Sequence, residues 1–485
     1  MQLILPLLIP LLTALATALT LTRPRLQGLL SGLGSLLLLL AALWLLTGVA
    51  ETGRLTLMLG GWPAPFGIAL AADRLSAPLV LVAAILALAV RLYSSETGPH
   101  RAPATPTRAP LEHGVITAAI AVTLAADLFN LYVWFELLLI AVLGLLALDG
   151  GRRAAEATLK YFVLSLLGTL VMLAAIGLIY GATGYLNFAA LGQAAREPEL
   201  AAALPLYVGL LVAALLLKAG AFPFFTWLPA SYPTLPIPLL ALVGGLLTKV
   251  VAYVLLRLLG EVFVLTPAAL LEGLGWLALI TMLSGVLGAA YHWDLRRILA
   301  FHIVSQIGYL LLGIALATPA GASATVFFLL HNILVKANLL LLAGLMIRAA
   351  GHHDLRCIGG LYPGSVLLAG LFFLNAFTLV GAPPTTGFWG KFLILREAFG
   401  QERYLWGLVA LGGGLLTLYS MSKIWLEGFW KAHPEPARLT PAAIPRRGWL
   451  AVSGLTLVLV LVGLYPEPVI RFLEAGSSGF WSTAP

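Results

Sequence analysis

The chain has 485 residues, 61% hydrophobic and only 10% charged, with a mean hydropathy of +1.00. A soluble chain of this length must cover itself with polar groups, so the composition excludes a water-soluble globular protein and calls for an integral membrane protein. The net charge of +8 sits mostly in short loops, which excludes a nucleic-acid footprint; the single cysteine, Cys357, excludes a disulfide framework within the chain and a thiolate cluster from this chain alone.

The opening MQLILPLLIPLL lacks the basic region of a signal peptide and reads as a retained first helix. Spans of about twenty apolar residues are expected near 2–20, 27–47, 75–93, 111–126, 128–148, 158–181, 203–227, 236–258, 267–290, 298–317, 322–347, 363–395, 404–428 and 449–466, fourteen in all. Asp127 alone separates the fourth from the fifth and is expected at the outer surface. Pro223 interrupts the seventh, and GAPPTTG at 381–387 breaks the twelfth. Residues 51–74, with Gly60, Gly61, Pro63 and Pro65, are expected to form an outside hairpin or turn. Residues 94–110 and 429–448 read as solvated inside connections. With both termini outside, sixteen basic residues fall in inside loops and seven, Arg257 among them, in outside segments. That bias supports the orientation.

The remaining five basic residues, Lys218, Lys249, Lys336, Lys391 and Lys423, lie within spans, whereas every arginine falls in a loop or at a helix end. A charge near the bilayer centre costs roughly a few kcal/mol or more, so it faces protein or water and marks a functional site. Arginine stays charged under realistic conditions, while a desolvated lysine can release its proton. The interior therefore holds the basic group that titrates, which points to proton handling. Lys218 reads as such a site, the alternative being a lysine snorkelling from a helix end. Pro223 frees the carbonyl of Ala219 beside it, because its ring clashes four residues back.

Glu136 is the acidic residue deep within a span, and a Glu136–Lys218 pair can change proton affinity as its separation changes; a purely structural ion pair is the plainer reading. Lys249 follows Gly244 and Gly245, which permit close helix approach. His302, Ser305, Gln306 and Tyr309 share a helix face that suits either a water wire or polar packing. His331 and Lys336, five residues apart, point in different directions, and Asn332 is the better face-mate of Lys336. His331 suits a relay because its unperturbed pKa lies near physiological pH. Pro383 and Pro384 free the carbonyls of Leu379 and Val380 just before Lys391. Lys423 reads equally as a snorkelling residue. GFWGK at 387–391 lacks the spacing of a phosphate loop. His352, His353, Asp354 and Cys357 lie in an exposed loop and are set aside as metal ligands. An offset of 166 lays 161–173 onto 327–339 and Glu136 onto His302; with two proline-broken helices, it suggests an inverted repeat with sites at midplane.

The stretches 127–141, 218–250, 295–314, 327–346 and 381–399 resemble the antiporter-like subunits shared by Mrp-type multisubunit sodium/proton antiporters, respiratory complex I and membrane-bound hydrogenases. Within that family 127–141 and 218–250 look most similar to the D-type members of the Mrp antiporters; the ASYPTLP loop and the 94–110 linker depart from the expected pattern. The resemblance implies an all-α membrane fold of about fourteen helices: three N-terminal helices in 1–110, inverted five-helix repeats in 111–260 and 261–430, and a last helix and tail in 431–485. It implies that Glu136 is the helix-five glutamate, Lys218 the broken-helix lysine, Lys249 the lysine of the next helix and Lys391 the terminal lysine, with His302 and His331 as relay histidines. Lys336 joins them as a relay candidate. The function implied is proton translocation within a hetero-oligomeric cation/proton antiporter of the cell membrane, without a cofactor. A redox-driven pump module of complex I or a hydrogenase is the alternative. Sodium needs several hard oxygen ligands, so it is expected to cross in a partner subunit.

Overall fold

The computed structural model describes residues 1–62, 67–94, 105–197, 200, 203–435 and 446–481. Pro63, Pro65, most of the 94–110 linker and part of the 429–448 connection lie outside the described residues. The chain runs α1 (Leu5–Leu19), α2 (Pro24–Thr52), β1 (Arg54–Met58), β2 (Ala69–Asp73), α3 (Ser76–Ser94), α4 (Arg108–Leu124), α5 (Leu128–Ala147), α6 (Gly151–Thr183) and α7 (Phe188–Ala194). It continues with α8 (Leu204–Ala219), α9 (Trp227–Ser231), α10 (Ile237–Arg257), α11 (Ala268–Tyr291), α12 (Leu295–Ala315) and α13 (Pro319–Ala350). Then follow α14 (Leu361–Gly364), α15 (Val366–Val380), α16 (Thr386–Gly400), α17 (Tyr404–Trp425), α18 (Arg446–Leu464) and α19 (Glu467–Ser477). Among the described residues eleven helical segments are long and apolar enough to cross a membrane, and Leu5–Leu19 and Val366–Val380 are shorter apolar helices. The protein is an all-α membrane fold.

Helices α10, α12 and α13 are predominantly apolar and are buried almost all round, so they form the centre. Their close approach depends on small residues: a Cβ on Gly308 of α12 would lie 2.6 Å from the backbone nitrogen of Met282 in α11. Helix starts are set by side chains that satisfy the free first-turn N–H groups. Asp127 accepts from the Asn130 N–H at 2.7 Å and Asp294 from that of Arg296 at 2.9 Å. Asp127, expected at the outer surface, is buried, because it also accepts from the Ala69 N–H of β2 at 3.3 Å. Residues 51–74 do form a hairpin, β1 and β2 pairing antiparallel with Arg54 opposite Asp73. α6 starts seven residues before its expected span of 158–181, where the exposed Glu156–Lys160 pair joins successive turns.

The seventh and twelfth expected spans are broken, and by the same short phrase: Gly220-Ala221-Phe222-Pro223 ends α8, and Gly381-Ala382-Pro383-Pro384 ends α15. Each glycine is left-handed, with φ of +72° at Gly220 and +93° at Gly381, and the Phe222–Pro223 and Pro383–Pro384 bonds are cis. The following alanine N–H turns back on the helix, Ala221 to the Leu216 carbonyl at 3.0 Å and Ala382 to that of Phe377 at 3.1 Å. Only glycine takes that backbone without a Cβ penalty.

Because the Gly308 contact is with backbone, Gly308→Ala should destabilise the protein by about 1–3 kcal/mol. Gly273→Ala in α11, where a Cβ meets nothing within 4 Å, should be neutral or slightly stabilising. Thermal denaturation of the two purified variants in detergent checks the contrast.

Candidate functional site

Four lysines are buried inside the helices: Lys218 at the end of α8, Lys249 in α10, Lys336 in α13 and Lys391 in α16. Among the described residues none makes an ion pair within 4.0 Å, so neutral groups must satisfy the ammonium donors. Each lysine is met differently. Lys218 Nζ donates to Thr169 Oγ1 of α6 at 2.6 Å and lies 5.5 Å from the Phe135 ring centre. Lys249 Nζ folds back along its own helix to the Gly244 carbonyl at 2.6 Å. Lys391 Nζ donates to the carbonyls of Leu379 and Val380, at 3.1 and 2.8 Å, and sits 4.8 Å over the Tyr309 ring. Those are the two carbonyls that the Pro383-Pro384 break was expected to free, at the negative end of α15. Lys336 Nζ has no protein partner.

The first break departs from expectation. Lys218 takes a threonine hydroxyl and not the freed Ala219 carbonyl, while Trp227 Nε1 donates to Leu217 O at 3.3 Å and the Phe222 N–H to Thr281 Oγ1 at 3.0 Å. The broken segment is thus satisfied by α9 and α11, leaving Lys218 to reach α6.

The expected relay separates into two groups. Glu136 and Lys218 are within electrostatic reach but form no ion pair, and Glu136 Oε1 has no partner. A cavity of about 20 Å³, room for a single water, lies between Lys218, Tyr161, Ser165 and the α10 residues Leu247 and Val251. Lys249 stands two residues from each of these, about 200° around the helix, so it is turned away from Lys218. Lys249 instead belongs with the second group: Lys336 lies within electrostatic reach of Lys249 and Lys391, and both histidines within reach of Lys336 and Lys391.

On α12 the expected stripe fans out. His302 Nε2 bonds Ser420 Oγ of α17 at 3.0 Å, and Tyr309 donates to the Ala410 carbonyl of α17 at 2.5 Å. Gln306 Oε1 accepts from Asn332 of α13 at 3.5 Å, while Ser305 Oγ has no partner. His331 Nδ1 bonds Thr386 Oγ1 at the start of α16, 2.9 Å away, so it faces the α15–α16 break while Asn332 faces α12. Lys423 is half-buried at the end of α17, donating to the carbonyls of Ala290 and His292 at 3.0 and 2.7 Å; it caps α11 and stands apart from the buried four. Asp354 is engaged by Arg356 at 2.6 Å.

Sequence reasoning missed the hydroxyl partners Thr169, Ser420 and Thr386. Thr386 alone left a trace, following the proline pair closely. The same reasoning placed Arg257 in an outside segment, whereas Arg257 is buried at the end of α10 against Asp73 and Glu261.

A many-helix membrane protein with two helices broken beside buried lysines is the architecture of an ion-translocating subunit. The profile described as NADH:quinone oxidoreductase/Mrp antiporter, TM matches residues 125–417. The chain is 34% identical over 450 residues to the D subunit of the Na(+)/H(+) antiporter of Alkalihalophilus pseudofirmus, covering 92% of this chain and 90% of that one. It is 35% identical to the corresponding D subunit of Bacillus subtilis, over 88% and 86% of the two chains. Its fold superimposes on a chain of the Mrp complex from Dietzia sp. with a TM-score of 0.89 and 28% identity, over 99% and 98% of the two. A chain of Thermus thermophilus respiratory complex I shares the fold at a TM-score of 0.86 and 24% identity, over the same shares. The chain belongs to the NADH:quinone oxidoreductase/Mrp antiporter membrane family.

Thr169 supplies the hydrogen bond to Lys218, and a bond to a charged group contributes about 1.5–3 kcal/mol. Thr169→Val should therefore lower ion-driven proton flux by about tenfold or more in the assembled protein, and Thr169→Ser should retain it. Fluorescent-dye measurements of flux in everted vesicles compare the two.

Proposed function

We propose that this chain is the proton-translocating subunit of a multisubunit sodium/proton antiporter of the cell membrane, working beside other membrane subunits. The observation that carries the reading is the set of four buried lysines without a carboxylate partner, in a chain similar over most of its length to the D subunits of two sodium/proton antiporters. Titratable ammonium groups held by hydroxyls and carbonyls can take up and release protons, where an ion pair would hold them charged.

Glu136, Lys218, Lys249, Lys336 and Lys391, with His302 and His331, form the path. Protons enter near Lys218 and Lys249, pass His331 and leave near Lys391. Tyr161 and Ser165 line the water-sized cavity beside Lys218, and a rotation of Lys249 away from the Gly244 carbonyl joins the two groups. Buried polar atoms of Ser305, Gln306, Asn332 and Lys336 lack protein partners, and water satisfies such groups. The Glu136–Lys218 separation is the coupling coordinate toward neighbouring subunits. Sodium crosses in a partner subunit, since the interior offers ammonium groups where that ion needs oxygen ligands.

Fourteen spans are assigned by pairing α8 with α9 and α15 with α16, with both termini outside. The segment 1–110 supplies three helices, 111–260 and 261–430 are inverted five-helix repeats, and 431–485 holds the last helix and tail. The matching Gly-Ala-X-Pro breaks at 220–223 and 381–384 support the repeat. Of the two power sources, sodium-coupled antiport is favoured over a redox-driven pump, because the chain is 34–35% identical over most of its length to the D subunits of two sodium/proton antiporters.

In everted vesicles carrying the complete complex, Lys218→Ala and Lys391→Ala should each abolish sodium-dependent proton movement while native gels show normal assembly. Unchanged flux in assembled variants would overturn the relay. Flux that requires an electron donor and ignores sodium would replace antiport with the redox-driven reading.

A further inference from the structure

Arg257 is the one buried arginine among the described residues, with 4% of its surface exposed. It ends α10, and with Lys249 and Tyr253 it occupies positions i, i+4 and i+8 on one face of that helix. Its Nη1 lies 2.5 Å from Asp73 Oδ2 and donates to the Tyr253 hydroxyl at 2.7 Å, while its Nε lies 2.7 Å from Glu261 Oε2. The other Glu261 oxygen takes Arg54 at 2.7 Å. Asp73 is itself fixed, its Oδ1 accepting from the N–H groups of Leu75 and Ser76 at 3.0 Å each. A cavity of about 10 Å³ touches Tyr253, Val254 and Arg257 from the side of Leu131 and Phe188. Over the π-helical turn 258–262 that carries Glu261, the Trp481 N–H donates to the Gly260 carbonyl at 2.7 Å, and the Phe480 ring packs on Gly260.

A cation that must titrate is a poor choice for such a place, and arginine does not titrate. Its guanidinium cannot relay a proton, and pinned across a narrow polar route it fills the way with a group that neither moves nor exchanges protons. Two carboxylates and a phenol hold it there, which an uncompensated buried charge would not permit. We propose that Arg257, clamped by Asp73 and Glu261, is a gate that closes the hairpin-side end of the lysine path above Lys249. The gate opens when Glu261 moves with its π-helical turn and draws the guanidinium off the α10 face. As a route for protons this rests on the translocation reading, but closure to water does not.

The test uses the whole complex in membranes, with Cys357, the single cysteine, replaced by serine. Val250→Cys places a thiol seven residues below Arg257 on the same face, buried behind the gate. A membrane-impermeant maleimide applied from the hairpin side should leave it unlabelled. Adding Arg257→Gln together with Asp73→Asn, which removes the cation and one of its carboxylates together, should raise labelling by about tenfold or more, since only a hydrated thiolate reacts. The same vesicles should leak protons without sodium. Glu261→Gln, a milder change that leaves Arg257 and Asp73 paired, should give a smaller rise in both and serves if the double variant fails to assemble. Labelling that stays at the background rate in assembled variants overturns the gate; labelling that rises without a proton leak overturns its place on the proton path. Lys218→Ala and Lys391→Ala vesicles that keep full flux while the cysteine still opens would refute the relay and leave a water gate standing.

Discussion

An ammonium group inside a membrane protein must find acceptors for its protons without water on every side, and that requirement organises this chain. Four lysines are buried and none has a carboxylate within 4.0 Å. The fold supplies neutral oxygens in their place, and a helix has none to spare unless it is broken or a hydroxyl is added. The α15–α16 break exposes Leu379 and Val380 carbonyls for Lys391, and Lys249 folds back to a carbonyl of its own helix beside two glycines. Where the break's own groups are used by Trp227 and Thr281, a threonine from α6 serves Lys218. The helix interruptions and the hydroxyls are thus parts of one solution to a solvation problem.

Much of this was legible in the residues. Hydropathy located the apolar segments because lipid demands long runs of one kind, and Pro383-Pro384 identified two carbonyls that Lys391 occupies, because proline's steric effect is local and directional. Helical geometry fixes direction along one helix, so the adjacent His331 and Asn332 meet different neighbours, Thr386 and Gln306. What could not be read was partnership between helices. Thr169, Ser420 and Thr386 are ordinary polar residues of apolar segments until packing puts them 2.6–3.0 Å from Lys218, His302 and His331. Lys249 was grouped with Lys218 by closeness in sequence, yet the turn of α10 aims it elsewhere. The burial of Arg257 at its helix end could not be read, because its carboxylate Asp73 lies in a hairpin far back in the chain.

The two breaks also show how one local phrase can support different chemistry. Gly-Ala-X-Pro ends both α8 and α15 with the same reversal of an alanine N–H. In the first, the lysine precedes the glycine and points to another helix; in the second, it follows the break by a full two turns and reaches back onto the freed carbonyls. Backbone geometry is reproduced, and the position of the cation relative to it is not. A carbonyl pair at a helix end offers a fixed negative potential, whereas a threonine hydroxyl can rotate to donate as readily as to accept. Lys391 thus meets a fixed acceptor pair, and Lys218 a hydroxyl that can turn.

Placement of the counter-charges completes the logic. Buried Lys218, Lys249 and Lys391 have been given hydroxyls, carbonyls and aromatic faces, each of which solvates an ammonium without locking it. The one buried arginine among the described residues, whose charge cannot leave, has been given two carboxylates, a phenol and a hairpin to hold it. Carboxylates hold a neighbouring titratable group most tightly in its charged form, so beside Lys249, Lys336 or Lys391 they would fix an ammonium, while around Arg257 they fix a charge that is permanent in any case. A membrane interior with few charges to spend has put its buried ion pairs where immobility is wanted and withheld them where it is not.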